Sequence, residues 1–166
     1  MLKFYTVNND YIEYLRKFDP RIYKNNDRRP YIGVVCSVNN IDYYVPLSSP
    51  KPKHLNMKNT KDFHKVKEGA LGVINFNYMI PISTEYLLEK DIRNEPDLKY
   101  RFLLNNQYIE VIKIEDIITS KANDLYSLVK MNDNDLTEYD KRLKTRCCNF
   151  PLLEQKMKEY INQKES

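Results

Sequence analysis

The chain has 166 residues, 42% of them hydrophobic and 30% charged, with a net charge of +4. That is enough for one domain with a real core, and it is too apolar for a disordered segment. No apolar run approaches the ~18 residues of a membrane span, Met1–Tyr5 has no signal-like apolar core, and the three cysteines form neither a C-x-x-C pair nor an even framework; a cytoplasmic protein with buried or incidental thiols is expected.

Lys3–Val7 predicts a short strand, rich in aromatic and β-branched residues. Asn9 or Asp10 can cap the helix that follows, in which Tyr11, Ile12, Tyr14, Leu15 and Phe18 recur at helical spacing until Pro20. A polar link, Tyr23 to Pro30, carries Arg28 and Arg29. Tyr31–Val38 predicts the strongest strand, Asn39-Asn40 a two-residue turn, and Ile41–Val45 the returning strand.

Pro46 to His54 is expected to be a stiff loop, neither strand nor helix, because Pro46, Pro50 and Pro52 lack an N–H and have φ fixed near about -65°. It holds Ser48, Ser49, Lys51, Lys53 and His54 on display, a set of hydroxyls and cations suited to a phosphate. Arg29 enters the hairpin at the end where this loop leaves it, so the two should be neighbours. From Ser48 to Lys67, lysines at 51, 53, 58, 61, 65 and 67 face one acid, Asp62, a local charge of +5. Such a patch points to a polyanion, with Lys53, His54, Lys58, Lys61 and Lys65 as contacts and Arg28, Tyr23 and Tyr31 beside them, the two tyrosines as base-stacking platforms. His54 is the stronger candidate of the two histidines, His64 the weaker.

Residues 56–68 predict a ragged helix or an excursion over the sheet, Leu71–Phe76 a strand and Met79–Ile82 another, with Tyr86–Ile92 ambiguous. Pro96 suits a first helical turn, and helical spacing runs from there to about Met131, as one helix or two. Residues 132–137 are a polar break, and a last helix is expected from Pro151 to Ile161. Early strands and late helices predict an α+β fold. Three glycines in no phosphate-loop or dinucleotide pattern, and only two histidines, leave no expected cofactor or metal.

The chain resembles the ToxN/AbiQ family, toxins of type III toxin–antitoxin systems. The resemblance rests on Lys3-Phe4-Tyr5-Thr6, Tyr11-Ile12-x-Tyr14-Leu15, Arg29-Pro30-Tyr31-Ile32-Gly33-Val34-Val35, Tyr44-Val45-Pro46-Leu47-Ser48-Ser49-Pro50-Lys51, Leu71-Gly72-Val73-Ile74-Asn75-Phe76, Met79-Ile80-Pro81-Ile82 and Cys148-Asn149-Phe150-Pro151-Leu152-Leu153-Glu154. It implies a compact, strongly twisted antiparallel sheet, a MazF/PemK-like barrel core, surrounded by helices. It also implies a metal-independent, sequence-preferring endoribonuclease that leaves 2′,3′-cyclic phosphate and 5′-OH ends. The partner implied is a pseudoknot RNA antitoxin in a closed assembly with equal numbers of protein and RNA, serving phage defence. The family's catalytic serine falls on Ser49, its preceding hydroxyl on Ser48, its lysine on Lys51 and a further basic residue on Arg29; Tyr23 is the nearest match to a loop tyrosine. Two other readings of the residues stay open: a non-catalytic RNA-binding module, and a serine hydrolase with Ser49 as nucleophile and Lys51 or His54 as base.

Overall fold

The computed structural model describes residues 1–25 and 28–166, so Asn26 and Asp27 of the polar link lie outside the described residues. Lys3–Val7 is β1. Asn8, one residue before the expected caps, closes the first helix by accepting from the Tyr11 N–H at 3.0 Å, and α1 runs Asn9–Arg16 with Tyr11, Ile12 and Leu15 buried. Asn39 and Asn40 adopt φ of 53° and 64°. That left-handed pair folds β2, Tyr31–Val38, back on β3, Ile41–Ser48.

β3 corrects the expected boundary, because it runs through Pro46 instead of ending at Val45. The Leu47 N–H donates to the Pro30 carbonyl at 3.0 Å, on the β2 side. Alternation then aims the Pro46 nitrogen at the opposite side. There, β6 (Ile80–Pro81) pairs Tyr43 and Tyr44, and β5 (Val73–Asn75) pairs Leu47 and Ser48. The missing N–H therefore falls between two partners, where no ladder bond is needed. The rest of the expected loop is also partly regular, since Pro52–Leu55 forms a 3₁₀ helix.

β4, Phe63–Lys65, pairs β5, where a helix or an excursion was expected. β7, Leu87–Glu89, pairs β1 and resolves the ambiguous stretch before residue 92. The sheet order is β4-β5-β3-β2-β1-β7, with β6 also on β3, and every pairing is antiparallel. The path has two ends, β4 and β7, so the sheet is open and the implied barrel closure is not found.

The helical span resolves into α2, Leu98–Lys113, and α3, Glu115–Lys130, parted at Ile114. Asp97 caps α2, which leaves Pro96 outside the first turn. α4, Glu138–Arg146, was not expected, and α5 runs Phe150–Glu165 from an Asn149 cap, longer than the span foreseen. α3 packs on β2, and α5 on β6 and α1. Glu154 of α5 accepts from both the Tyr43 hydroxyl, at 2.5 Å, and the Tyr126 hydroxyl, at 2.8 Å, and so ties β3, α3 and α5 at one carboxylate. Much of the tyrosine content is thereby core: Tyr11, Tyr31, Tyr43 and Tyr44 are all buried. All three cysteines are free and buried. No described helix is long and apolar enough to cross a membrane.

Candidate active site

The end of β3 is where the hairpin, the polar link and β5 meet. Ser48, its last residue, is buried, and its Oγ accepts from Arg29 Nη1 at 3.2 Å and from Asn75 Nδ2 at 3.1 Å. Both lone pairs are thus taken by N–H donors, and the hydroxyl keeps its own proton to donate. The expected nearness of Arg29 to the serine loop is therefore observed. Gly72 makes this crowding possible. Its φ is +107°, and a Cβ there would lie 2.0 Å from the Ser48 carbonyl oxygen. Only glycine lets the start of β5 pass so close to the Ser48–Ser49 backbone.

Two concavities of about 390 Å³ each share Ser48 and Lys51 in their walls. The first is lined by Tyr23, Lys53, His54, Lys58, Asn75 and Arg146, among others; the second by Lys24, Arg28, Arg29, Ser49 and Tyr100, among others. Ser49 is exposed on the rim of the second. Tyr23 is half-buried, with the Arg29 guanidinium 4.3 Å from its ring centre and the Tyr78 ring 4.7 Å away. Burial raises the Tyr23 phenol above its ordinary value, Tyr78 adds to the rise, and Arg29 and the Ser48 hydroxyl oppose it. The phenol therefore keeps its proton at neutral pH. Arg28 lies 4.2 Å over the Tyr100 ring and pairs with Asp97 at 3.5 Å.

Three predicted contacts are placed elsewhere. Tyr31 is fully buried, its hydroxyl enclosed without a partner, so it is a core residue and not a stacking platform. Lys61 turns to Asp140 at 2.8 Å, and half-buried Lys65 lies 4.0 Å from Glu68; neither lines the two concavities. Asp62, the one acid in the basic stretch, is buried and held by Arg146 at 3.2 Å. Of the basic stretch, Lys51, Lys53 and Lys58 line the concavities, beside Lys24, Arg28 and Arg29 of the polar link. His64 sits away from it, with Nδ1 at 2.8 Å from Lys121 Nζ.

Asn75, Asn77, Tyr78, Tyr100 and Arg146 were not foreseen. A buried amide at the end of an apolar strand was the available signal for Asn75, since such a group needs a partner. Arg146 had none, because it arrives on α4.

Among the curated relatives, Endoribonuclease ToxN of Bacillus thuringiensis subsp. kurstaki is 35% identical over 95% of this chain and 84% of its own length. A solved toxin structure, described with selective inhibition by a non-coding RNA pseudoknot, superposes with a TM-score of 0.85 at 34% identity, covering 96% of this chain and 97% of that one. The structure of AbiQ, a lactococcal anti-phage endoribonuclease, superposes with a TM-score of 0.78 at 26% identity over 98% and 99% of the two chains. A family model for Toxin ToxN, type III toxin–antitoxin system, matches residues 3–158. With nearly its whole length matched, and the same fold in both solved structures, the chain belongs to the ToxN family of type III toxin–antitoxin toxins.

Proposed function

We propose that the chain is an endoribonuclease toxin that works in the cytoplasm, cuts RNA without a metal ion and is held in check by a folded RNA. The observation that carries this reading is the meeting of two basic lobes at Ser48 and Lys51, with Arg29 held between the Ser48 hydroxyl and the Tyr23 ring. An RNA strand crossing from one lobe to the other would set a phosphate over that junction. The 2′-oxygen attacks the adjacent phosphorus as its proton passes to a water molecule, the bond from phosphorus to the 5′-oxygen breaks, and that oxygen takes a proton. The products are a 2′,3′-cyclic phosphate and a 5′-OH. Ser49 donates to a non-bridging oxygen, Arg29 grips the phosphate with its fork, and Lys51 stabilises or protonates the departing oxygen. The same basic face receives the pseudoknot antitoxin, in a closed assembly with equal numbers of each, and release of the toxin cuts cellular or phage RNA.

The expected result is RNA cleavage in EDTA that leaves cyclic phosphate ends. A strict metal requirement or a 3′-OH product would sink the reading. Ser49→Ala should abolish cutting yet still bind RNA, since one rim hydroxyl is a small part of a charged interface; wild-type cutting by that variant would make Ser49 structural. The serine-hydrolase alternative finds no support in the geometry. Ser49 lines the second concavity and His54 the first, and the His54 Nδ1 is occupied by the Lys51 N–H.

The lysines test the face of the interface. Lys53→Ala and Lys58→Ala should each weaken RNA binding and flatten its dependence on log salt by about 0.7–0.9. Lys61→Ala and Lys65→Ala should change the slope far less, because both side chains already face acids. A salt series of binding measurements decides this, and equal slopes for all four variants would move the interface.

A further inference from the structure

We propose that His54 is a positioning residue whose ring nitrogen clamps the Lys51 backbone and so presents Lys51 to the RNA phosphate. The clamp is a closed pair of bonds. The Lys51 N–H donates to His54 Nδ1 at 3.0 Å, and the His54 N–H donates back to the Lys51 carbonyl at 2.9 Å. The first bond is one half of a capping box, with imidazole in the place usually held by a Glu or Gln side chain, and the second is the backbone bond that opens the 3₁₀ turn. Pro52, between them, offers no N–H to compete. The ring is only 3% exposed and lines the first lobe of the cleft. Behind it, the turn at Gly69 packs so closely that a Cβ there would lie 2.6 Å from the His54 carbonyl oxygen. That contact fixes the His54 backbone against the turn, and the burial of the side chain leaves the ring little room to turn away from Lys51.

An Nδ1 that accepts must carry a lone pair, so the neutral ring bears its proton on Nε2. Protonation would put a second donor against the Lys51 N–H and open the clamp. The surroundings resist that. Burial, then Lys53, then Lys51, lowers the ring below the ordinary 6.5. Lys67 and Glu68 lie on the turn packed behind. Lys58, Asp62, Arg146 and the phenols of Tyr23 and Tyr78 line the same lobe, where Asp62 is taken up by Arg146. Because the folded value is depressed, the clamp is intact at neutral pH and is lost as pH falls through that value, below 6.5.

This role rests on the nuclease reading, and two measurements keep the two apart. In the free full-length chain, nitrogen-edited NMR should find the Nε2–H tautomer of His54 at neutral pH. The Lys51 amide shift should titrate with the same midpoint as the ring, below 6.5. An Nδ1–H tautomer, or a Lys51 amide blind to the ring, would overturn the clamp whatever the chain does to RNA. In cleavage assays the wild-type rate should fall about tenfold per pH unit once below that midpoint. His54→Asn keeps an acceptor at the Nδ1 position but cannot titrate; it should hold the neutral-pH rate within about threefold and lose that acid limb. His54→Ala should run about tenfold or more below the wild type at neutral pH and converge with it in acid, where the wild-type clamp is also open. An unchanged acid limb in His54→Asn would overturn the proposal. A chain that cuts no RNA at any pH would overturn the nuclease reading, while the ring tautomer and the Lys51 amide still decide the clamp.

Discussion

Lys51→Ala should cut RNA about 10²–10³-fold more slowly at saturating RNA, the loss seen when one preorganised donor is removed from a developing charge. Lys51 lines both lobes of the cleft, so with Arg29 it supplies a cation at the junction where the phosphate would sit. Binding should weaken by only a single phosphate contact, with the salt slope flatter by about 0.7–0.9. Stability should scarcely change, because the side chain is exposed and makes no ion pair among the described residues. The split between a large rate effect and a small binding effect is the signature of an interaction realised in the transition state. Lys51→Arg should restore binding more fully than rate, because the flat guanidinium does not occupy the place of a compact ammonium. Single-turnover cleavage at saturating protein measures the rate. A Lys51→Ala variant within about threefold of wild type would remove Lys51 from the reaction.

Gly72→Ala should destabilise the fold by about 2–4 kcal/mol. Two effects combine: a left-handed φ of +107° that side chains rarely adopt, and a Cβ placed 2.0 Å from the Ser48 carbonyl oxygen. The clash is with backbone, so no rotamer change relieves it. β5 would have to move off β3 at the pair Ser48–Val73, and Asn75 would be drawn away from the Ser48 hydroxyl. In thermal melts the loss corresponds to a midpoint lower by roughly 5–15 °C for a domain of this size. Cleavage should fall even at temperatures where the variant is folded, because Arg29 loses a firmly held anchor. A variant that melts with the wild type would mean that β5 does not pass Ser48 this closely.

What could be read in advance depended on how far apart the cooperating residues lie. Ser48, Ser49, Lys51, Lys53 and His54 are close in the chain, and the hairpin brings Arg29 to them; both relations follow from strand pattern and turn chemistry. Tyr31 misled because it borders the site in sequence while its side chain points into the core, a difference of face within one strand. Lys61 and Lys65 misled because composition reports charge and not direction. Asn75, Asn77 and Tyr100 reach the cleft only through tertiary pairing. Arg146 depends on α4, whose nine residues bury Leu143 alone and so present no apolar stripe to detect. β4 was hidden in the same way, since Phe63 is its one buried residue.

The proline in β3 also bears on errors of pairing. A strand displaced by one residue would exchange its two faces, turning Leu47 into the cleft and Ser48 away from it. A displacement of two would keep the faces but carry the Pro46 ring onto a position where β5 or β6 needs an N–H. That forfeits a ladder bond, about 0.5–1.5 kcal/mol, and adds a steric conflict. Only the native alignment lets the ring fall in the gap between the two neighbours. Pro46 thus acts against misaligned copies of the hairpin as the chain folds, and every correctly aligned copy has Ser48 beside Arg29.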